Sequence, residues 1–109
     1  MARELDLVID QGTDFSTDIL MIDEYDNNID LTGYTGAAQM RRFHTSNTYY
    51  SFTVSTNVNN AVITLSMTSN TTNTIPDGRY LWDCEIINAS GTKSRLREGI
   101  VTVTPQITR

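Results

Sequence analysis

The sequence predicts an all-β fold, and three observations carry that prediction. Apolar residues recur at every second position through most of the chain, the period of a half-buried strand. Clusters of Gly, Asn and Asp break those runs at intervals of roughly ten to fifteen residues. Thr, Asn and Ser are abundant and Lys is scarce; Thr suits strands, and Asn and Ser suit turns. At 109 residues, 39% apolar and 19% charged, the chain fits one folded domain, 1–109, rather than a disordered segment.

In chain order, Leu5, Leu7 and Ile9 alternate with Asp6, Val8 and Asp10 in a first strand closed by Gln11-Gly12-Thr13. Phe15, Thr17, Ile19 and Met21 alternate with Ser16, Asp18, Leu20 and Ile22 in a second. Its far end is apolar on both faces, which predicts a deep position. The run 23–28 is a turn, with Asn27-Asn28 suited to positive φ. Leu31 and Tyr34 then plug one end of the core, with Thr32-Gly33 as the corner. The segment 36–43 is read as a strand, because Ala38 and Met40 alternate with Ala37, Gln39 and Arg41; its small residues leave room for the Trp82 ring. His44 to Thr48 is a polar loop.

Tyr50, Phe52 and Val54 form a fourth strand. Ala61, Ile63, Leu65 and Met67 form a fifth, joined to it by an Asn-rich hairpin turn. The polar run 68–74 holds one helical turn capped by Thr68 or Ser69, ended by Ile75-Pro76. The central strand follows the turn signal Asp77-Gly78. Tyr80, Trp82, Cys84 and Ile86 share one face, and Trp82 is the chain's only tryptophan. Asn88 to Gly91 is a hairpin turn, with Gly91 at positive φ. A long last strand runs from Thr92 to Thr104. Its alternation shifts at Glu98-Gly99, which predicts a β-bulge there. Pro105 to Arg109 forms a tail outside the sheet.

About seven short strands with regular turns predict a two-sheet antiparallel β-sandwich of immunoglobulin type. Asp77-Gly-x-Tyr80 occupies the place of a tyrosine corner. Phe15, Tyr34, Tyr80 and Trp82 are the expected core aromatics. A lone cysteine beside the tryptophan excludes an antibody-like domain.

The net charge of −5 argues against a nucleic-acid partner, since phosphate binding needs clustered Lys and Arg. No apolar run approaches the ~18 residues of a membrane span, and Met-Ala-Arg-Glu-Leu is no signal peptide. Without secretion, the glycosylation patterns at Asn70 and Asn88 have no consequence. Cys84 lies on the Trp82 face as a small apolar group. The single histidine, His44, sits far off in a polar loop, so a Cys–His nucleophilic pair is not expected. Asp18, Asp23, Glu24, Asp26 and Asp30 offer oxygen ligands, but without EF-hand spacing they read as a solvated turn rather than a calcium site. The chain carries no HExxH, GxSxG, GxGxxG or P-loop pattern. No enzyme, cofactor or metal is expected.

Outer surfaces remain. Lys93, Arg95 and Arg97 alternate along the last strand as one basic face. It pairs with Asp83 and Glu85 of the preceding strand, or meets an acidic patch such as 23–30 on a neighbour. Tyr49, beside His44 in the 44–50 loop, is the better-placed aromatic for contacting a ligand. The last strand and tail are edges to which a partner strand can add.

Three stretches together carry a resemblance: Leu5-x-Leu-Val-Ile-Asp-Gln-Gly-Thr-Asp-Phe15, Ile29-Asp-Leu-Thr-Gly-Tyr34 and Asp77-Gly-Arg-Tyr80. The chain resembles small tailed-phage tail and baseplate proteins. It is similar over essentially its whole length to the immunoglobulin-like amino-terminal domain of phage baseplate upper proteins. These are structural signatures of medium specificity, shared with other phage virion β-domains, and they include no catalytic motif. The resemblance implies a structural virion module of the tail or baseplate, made in the host cytoplasm. Its implied partners are other virion proteins, with a homo-oligomer as a further option. The alternative is a host-receptor or carbohydrate-binding module using the 44–50 loop.

Overall fold

The computed structural model describes residues 3–22 and 25–107. Asp23 and Glu24 of the expected acidic turn, and the last two residues of the expected tail, lie outside them. The elements in chain order are β1 (Arg3–Glu4), β2 (Leu7–Asp10), β3 (Phe15–Leu20), β4 (Thr35–Arg41), β5 (Tyr50–Asn57), β6 (Val62–Met67), α1 (Ser69–Thr72), β7 (Gly78–Ile87) and β8 (Lys93–Thr104). The fold is all-β, a curled and open mixed sheet. Hydrogen-bonded neighbours run β1–β8–β7–β4–β5–β6–β3, and β2 also pairs with β8.

The alternation at 78–87 marks an interior strand, next to β4 at the middle of the path. β7 is flanked by β4 and β8, and Tyr80, Trp82, Cys84 and Ile86 are all buried. The curl comes from β5, which changes partner half-way. Tyr50 to Phe52 pair with β4, and Thr53 to Asn57 pair with β6. Phe52 sits at the change. Its ring meets Trp82 on one side and Phe15 of β3 on the other, each with centroids 5.9 Å apart. Tilted aromatic pairs add ~0.5–1.5 kcal/mol beyond the area they bury, so this chain of rings ties β7 to β3 across the curl. Leu31 is fully buried and Tyr34 packs against the core, their corner closed by the Tyr34 N–H on the Leu31 carbonyl at 3.0 Å. Gly33 takes φ +82° in that corner, a conformation that costs glycine little.

Several expectations are corrected. The sheet is mixed rather than antiparallel, because β1 and β2 run parallel to β8. The turn after Asp10 carries the chain away to β3, so the first and last strands meet side by side and pointing the same way. The expected first strand, 5–10, begins only at Leu7 as β2; a separate β1 precedes it at Arg3–Glu4, and in the break at Leu5-Asp6 the Asp6 carboxylate accepts the Ile100 N–H at 3.0 Å. The β-bulge lies at Leu96, not at Glu98-Gly99: Cys84 pairs with Arg97 and Glu85 with Arg95. Leu96 is thereby turned to pack against the core. Gly99 breaks the alternation for another reason, close backbone approach; a Cβ there would fall on the carbonyl oxygen of Leu5.

Leu20 and Ile22 are exposed, 53% and 40%, rather than deep. Leu20 falls on the outer face of β3 with the exposed Ser16 and Asp18, and Ile22 continues that alternation. Trp82 lies opposite Met40, not over 36–38; Gly36 makes room instead for Val54 and Ile86. Positive φ in the 25–28 turn falls on Asp26 rather than on the Asn pair. Thr68 is the N-cap of α1 but makes no side-chain cap bond. The Ser69 N–H is taken by Asp14 at 2.7 Å.

Candidate functional site

The bulge at Leu96 splits the basic trio of the last strand. Lys93 lies 3.5 Å from Glu85, and Arg95 lies 3.6 Å from Asp83 and 3.4 Å from Glu98. These pairs are exposed, so each contributes ~0–1 kcal/mol, yet they neutralise this face within the chain itself. Arg97 stands apart. It is in register with Cys84, a residue of the buried face. It is half-buried, and its guanidinium donates to the Leu96 carbonyl at 2.9 Å. Burial, and then the nearby Arg3, push its pKa below the usual arginine value. The three cations therefore do not form one face.

On the outer side of β4, β7 and β8 lies a shallow groove of about 850 Å³, bounded by Phe43, His44, Leu81, Arg95, Glu98 and Ile100 among others. His44 reaches it, whereas Tyr49 does not. Tyr49 is 49% exposed, and its ring lies under the Arg41 guanidinium, 4.7 Å from centroid to Cζ. The two residues expected to act together on the 44–50 loop thus face different surroundings. Arg41 holds this loop, and Arg42 anchors its start to the corner before β7. Arg41 donates to the Ser46 carbonyl at 2.6 Å and to Gln39 at 3.0 Å. Arg42 donates to the Asp77 carbonyl at 3.0 Å and stacks on Tyr80 at 4.7 Å. Planar, multi-donor guanidinium groups suit such combined bonding and stacking. The sequence shows Arg41-Arg42 as a basic pair but not the rings they cover.

The stretches 5–15, 29–34 and 77–80 each contain a corner of the fold. Gln11 accepts the Gln106 N–H at 3.0 Å and donates to the Ile75 carbonyl at 2.9 Å, tying the turn after β2 to the last residues and to the segment after α1. Thr72, fully buried, accepts the Gly12 N–H at 3.1 Å and donates to the Thr13 carbonyl at 2.7 Å. Tyr80 donates its hydroxyl to the Pro76 carbonyl at 2.6 Å, the bond expected of a tyrosine corner.

Groups suited to chemistry are otherwise engaged. Burial, then the neighbouring Asp83, pushes the Cys84 thiol up to about 11, while Arg97 opposes the shift; a thiolate is strongly disfavoured there. Asp30 bonds the hydroxyl and N–H of Thr32, at 2.7 and 3.0 Å, which lowers its pKa. Asp18 accepts from Thr64 at 2.7 Å. Among the described residues, no three His, Cys, Asp or Glu side chains are grouped to hold a metal ion, and no helix is long and apolar enough to cross a membrane.

No family model and no curated protein matches the chain. Among solved structures, it is similar to the Listeria monocytogenes internalin-like protein lmo2027, at 17% identity and TM-score 0.49. The match covers 94% of this chain but only 28% of that one. At that level the neighbour indicates neither family nor activity.

Proposed function

We propose that this chain is a structural module of a tailed-phage virion, in the tail or baseplate, that works through protein–protein contacts and not through catalysis. Made in the host cytoplasm, it joins other virion proteins during assembly. The observation that carries this reading is that each of the three stretches behind the phage resemblance contains a contact that closes a corner of the fold: the Gln11 clamp, the Leu31–Tyr34 plug and the Tyr80–Pro76 bond. The same reading takes the curled sheet as an immunoglobulin-like sandwich. The change of partner along β5 and the tyrosine corner support it, with β8, β7 and β4 as the body of one sheet and β6 with β3 as the other. Light-scattering mass, followed by pull-down with phage tail proteins, tests the proposal. A strict monomer that captures no virion protein would overturn it.

A second reading is a host-receptor or carbohydrate-binding module. The favouring observation is the Tyr49 ring, half exposed and held by Arg41, since fixed aromatic faces suit flat apolar ligand surfaces. Glycan-array binding that disappears in Tyr49→Ala would establish it.

A further inference from the structure

The edge of the sheet at β3 is open. Met21 donates its N–H to Ala61 at 2.7 Å, in the same register that pairs all of β3 with β6. In an antiparallel ladder, backbone groups of alternate residues point to the same side. The odd-numbered residues of β3 therefore bond β6. Ser16, Asp18 and Leu20 direct their N–H and C=O groups outward, where no strand among the described residues pairs. Natural sheets guard such an edge with charged side chains, above all Lys, with Pro or with a bulge. Phe15-Ser-Thr-Asp-Ile-Leu20 contains no Lys or Pro, its register with β6 is unbroken, and its one charge, Asp18, accepts the Thr64 hydroxyl of β6 at 2.7 Å.

We propose that β3 pairs antiparallel with β3 of a second copy of this chain about a two-fold axis through Thr17. The sequence of the edge selects that register. Centred on Thr17, each Ser16 faces the other copy's Asp18, and these residues exchange backbone hydrogen bonds. On the inner side Phe15 faces Ile19, two apolar side chains. Centred instead on Asp18, the pairing would place two carboxylates directly opposite, which is unfavourable, and would set Leu20 against Ser16. Thr17 lies at a position where the backbones approach most closely, about 4.5 Å between Cα atoms. A single pair of short strands buries less than a standard interface, so the dimer is weak in free solution. It strengthens where an assembly holds copies side by side. The inference rests on the assembly reading for its purpose, but its test is independent of tail proteins.

Sedimentation velocity from micromolar to millimolar protein reads the association. Ser16→Asp sets a carboxylate against each Asp18 and should weaken the dimer about tenfold, whereas Ser16→Lys should strengthen it. Both changes are on an exposed position, and circular dichroism checks that the fold is retained. Thr17→Cys should form a disulfide-linked dimer under mild oxidation much faster than Asp18→Cys, whose thiol faces Ser16. A monomer at every concentration, a dimer insensitive to the charge at position 16, or equal cross-linking of the two cysteine variants would each overturn the proposal. Failure of the tail-protein pull-down alone would remove the virion assignment and leave this pairing standing.

Discussion

Trp82 donates its indole N–H to the carbonyl oxygen of Leu5, 77 residues earlier, at 2.8 Å. The bond exists because the first strand breaks at Leu5-Asp6 and because Gly99, opposite Trp82, has no side chain. Gly99→Ala should push Leu5 off β8, since the added Cβ meets backbone that has no rotamer to yield. We expect a loss of ~1–3 kcal/mol in urea unfolding, with amide exchange accelerating first at Leu5, whose N–H bonds Glu98. Trp82→Phe keeps a ring in the core but drops the bond, for a loss of ~1–3 kcal/mol that includes the volume removed.

Tyr80→Phe isolates the corner before β7. The Tyr80 ring is buried and keeps its edge contact with Tyr50 at 6.1 Å and its Arg42 stack. The hydroxyl bond to Pro76 is lost, together with the interaction of the hydroxyl with Arg42. A cost of ~1 kcal/mol is expected, read as a lower urea midpoint at unchanged slope.

Strands with one-sided burial were legible because side-chain period and burial period coincide. Ala61, Ile63, Leu65 and Met67 are all buried as their spacing predicts. Gly99 was legible as a break but not as to kind, since a bulge and a close approach demand the same residue. Leu96, the actual bulge, has no turn chemistry and reads as an ordinary strand residue. The basic trio looked like a single face because period-two reasoning assumes an unbroken register, and one extra residue puts Arg97 opposite Cys84. Exposure of Leu20 and Ile22 depends on which face of the sheet another layer covers, a property of topology and not of local pattern. The roles of Arg41 and Arg42 required knowing which rings lie beneath them.

Asp14 caps a helix that begins 55 residues later in the chain. The polar run 68–74 already contains Thr68 at the N-cap, but its hydroxyl is directed to Thr71 at 3.2 Å. Asp14→Ala should therefore cost ~0.5–2 kcal/mol, as loss of an ordinary cap does, whereas Thr68→Ala should cost less. The reverse order in thermal unfolding would place the cap on Thr68.

Cys84 makes stability fall at high pH. Its thiol titrates at about 11 in the folded chain against an ordinary value of 9.0, chiefly because it is buried. The folded state thus holds its proton where the unfolded chain has released it. Between those values the unfolded state binds fewer protons, and unfolding free energy must decrease as pH rises. Below pH 9.0 the contribution is fully present; it is lost as pH climbs through about 11. Two units of pKa correspond to roughly 2–3 kcal/mol, large for a domain of this size. Cys84→Ala removes the titrating group and should flatten that decline, at the cost of a small cavity that lowers stability at neutral pH. Urea titrations of both proteins at neutral pH and across this alkaline window check the expectation. Parallel declines in the two would assign the alkaline loss to other groups, such as Tyr80, whose phenol is also raised by burial.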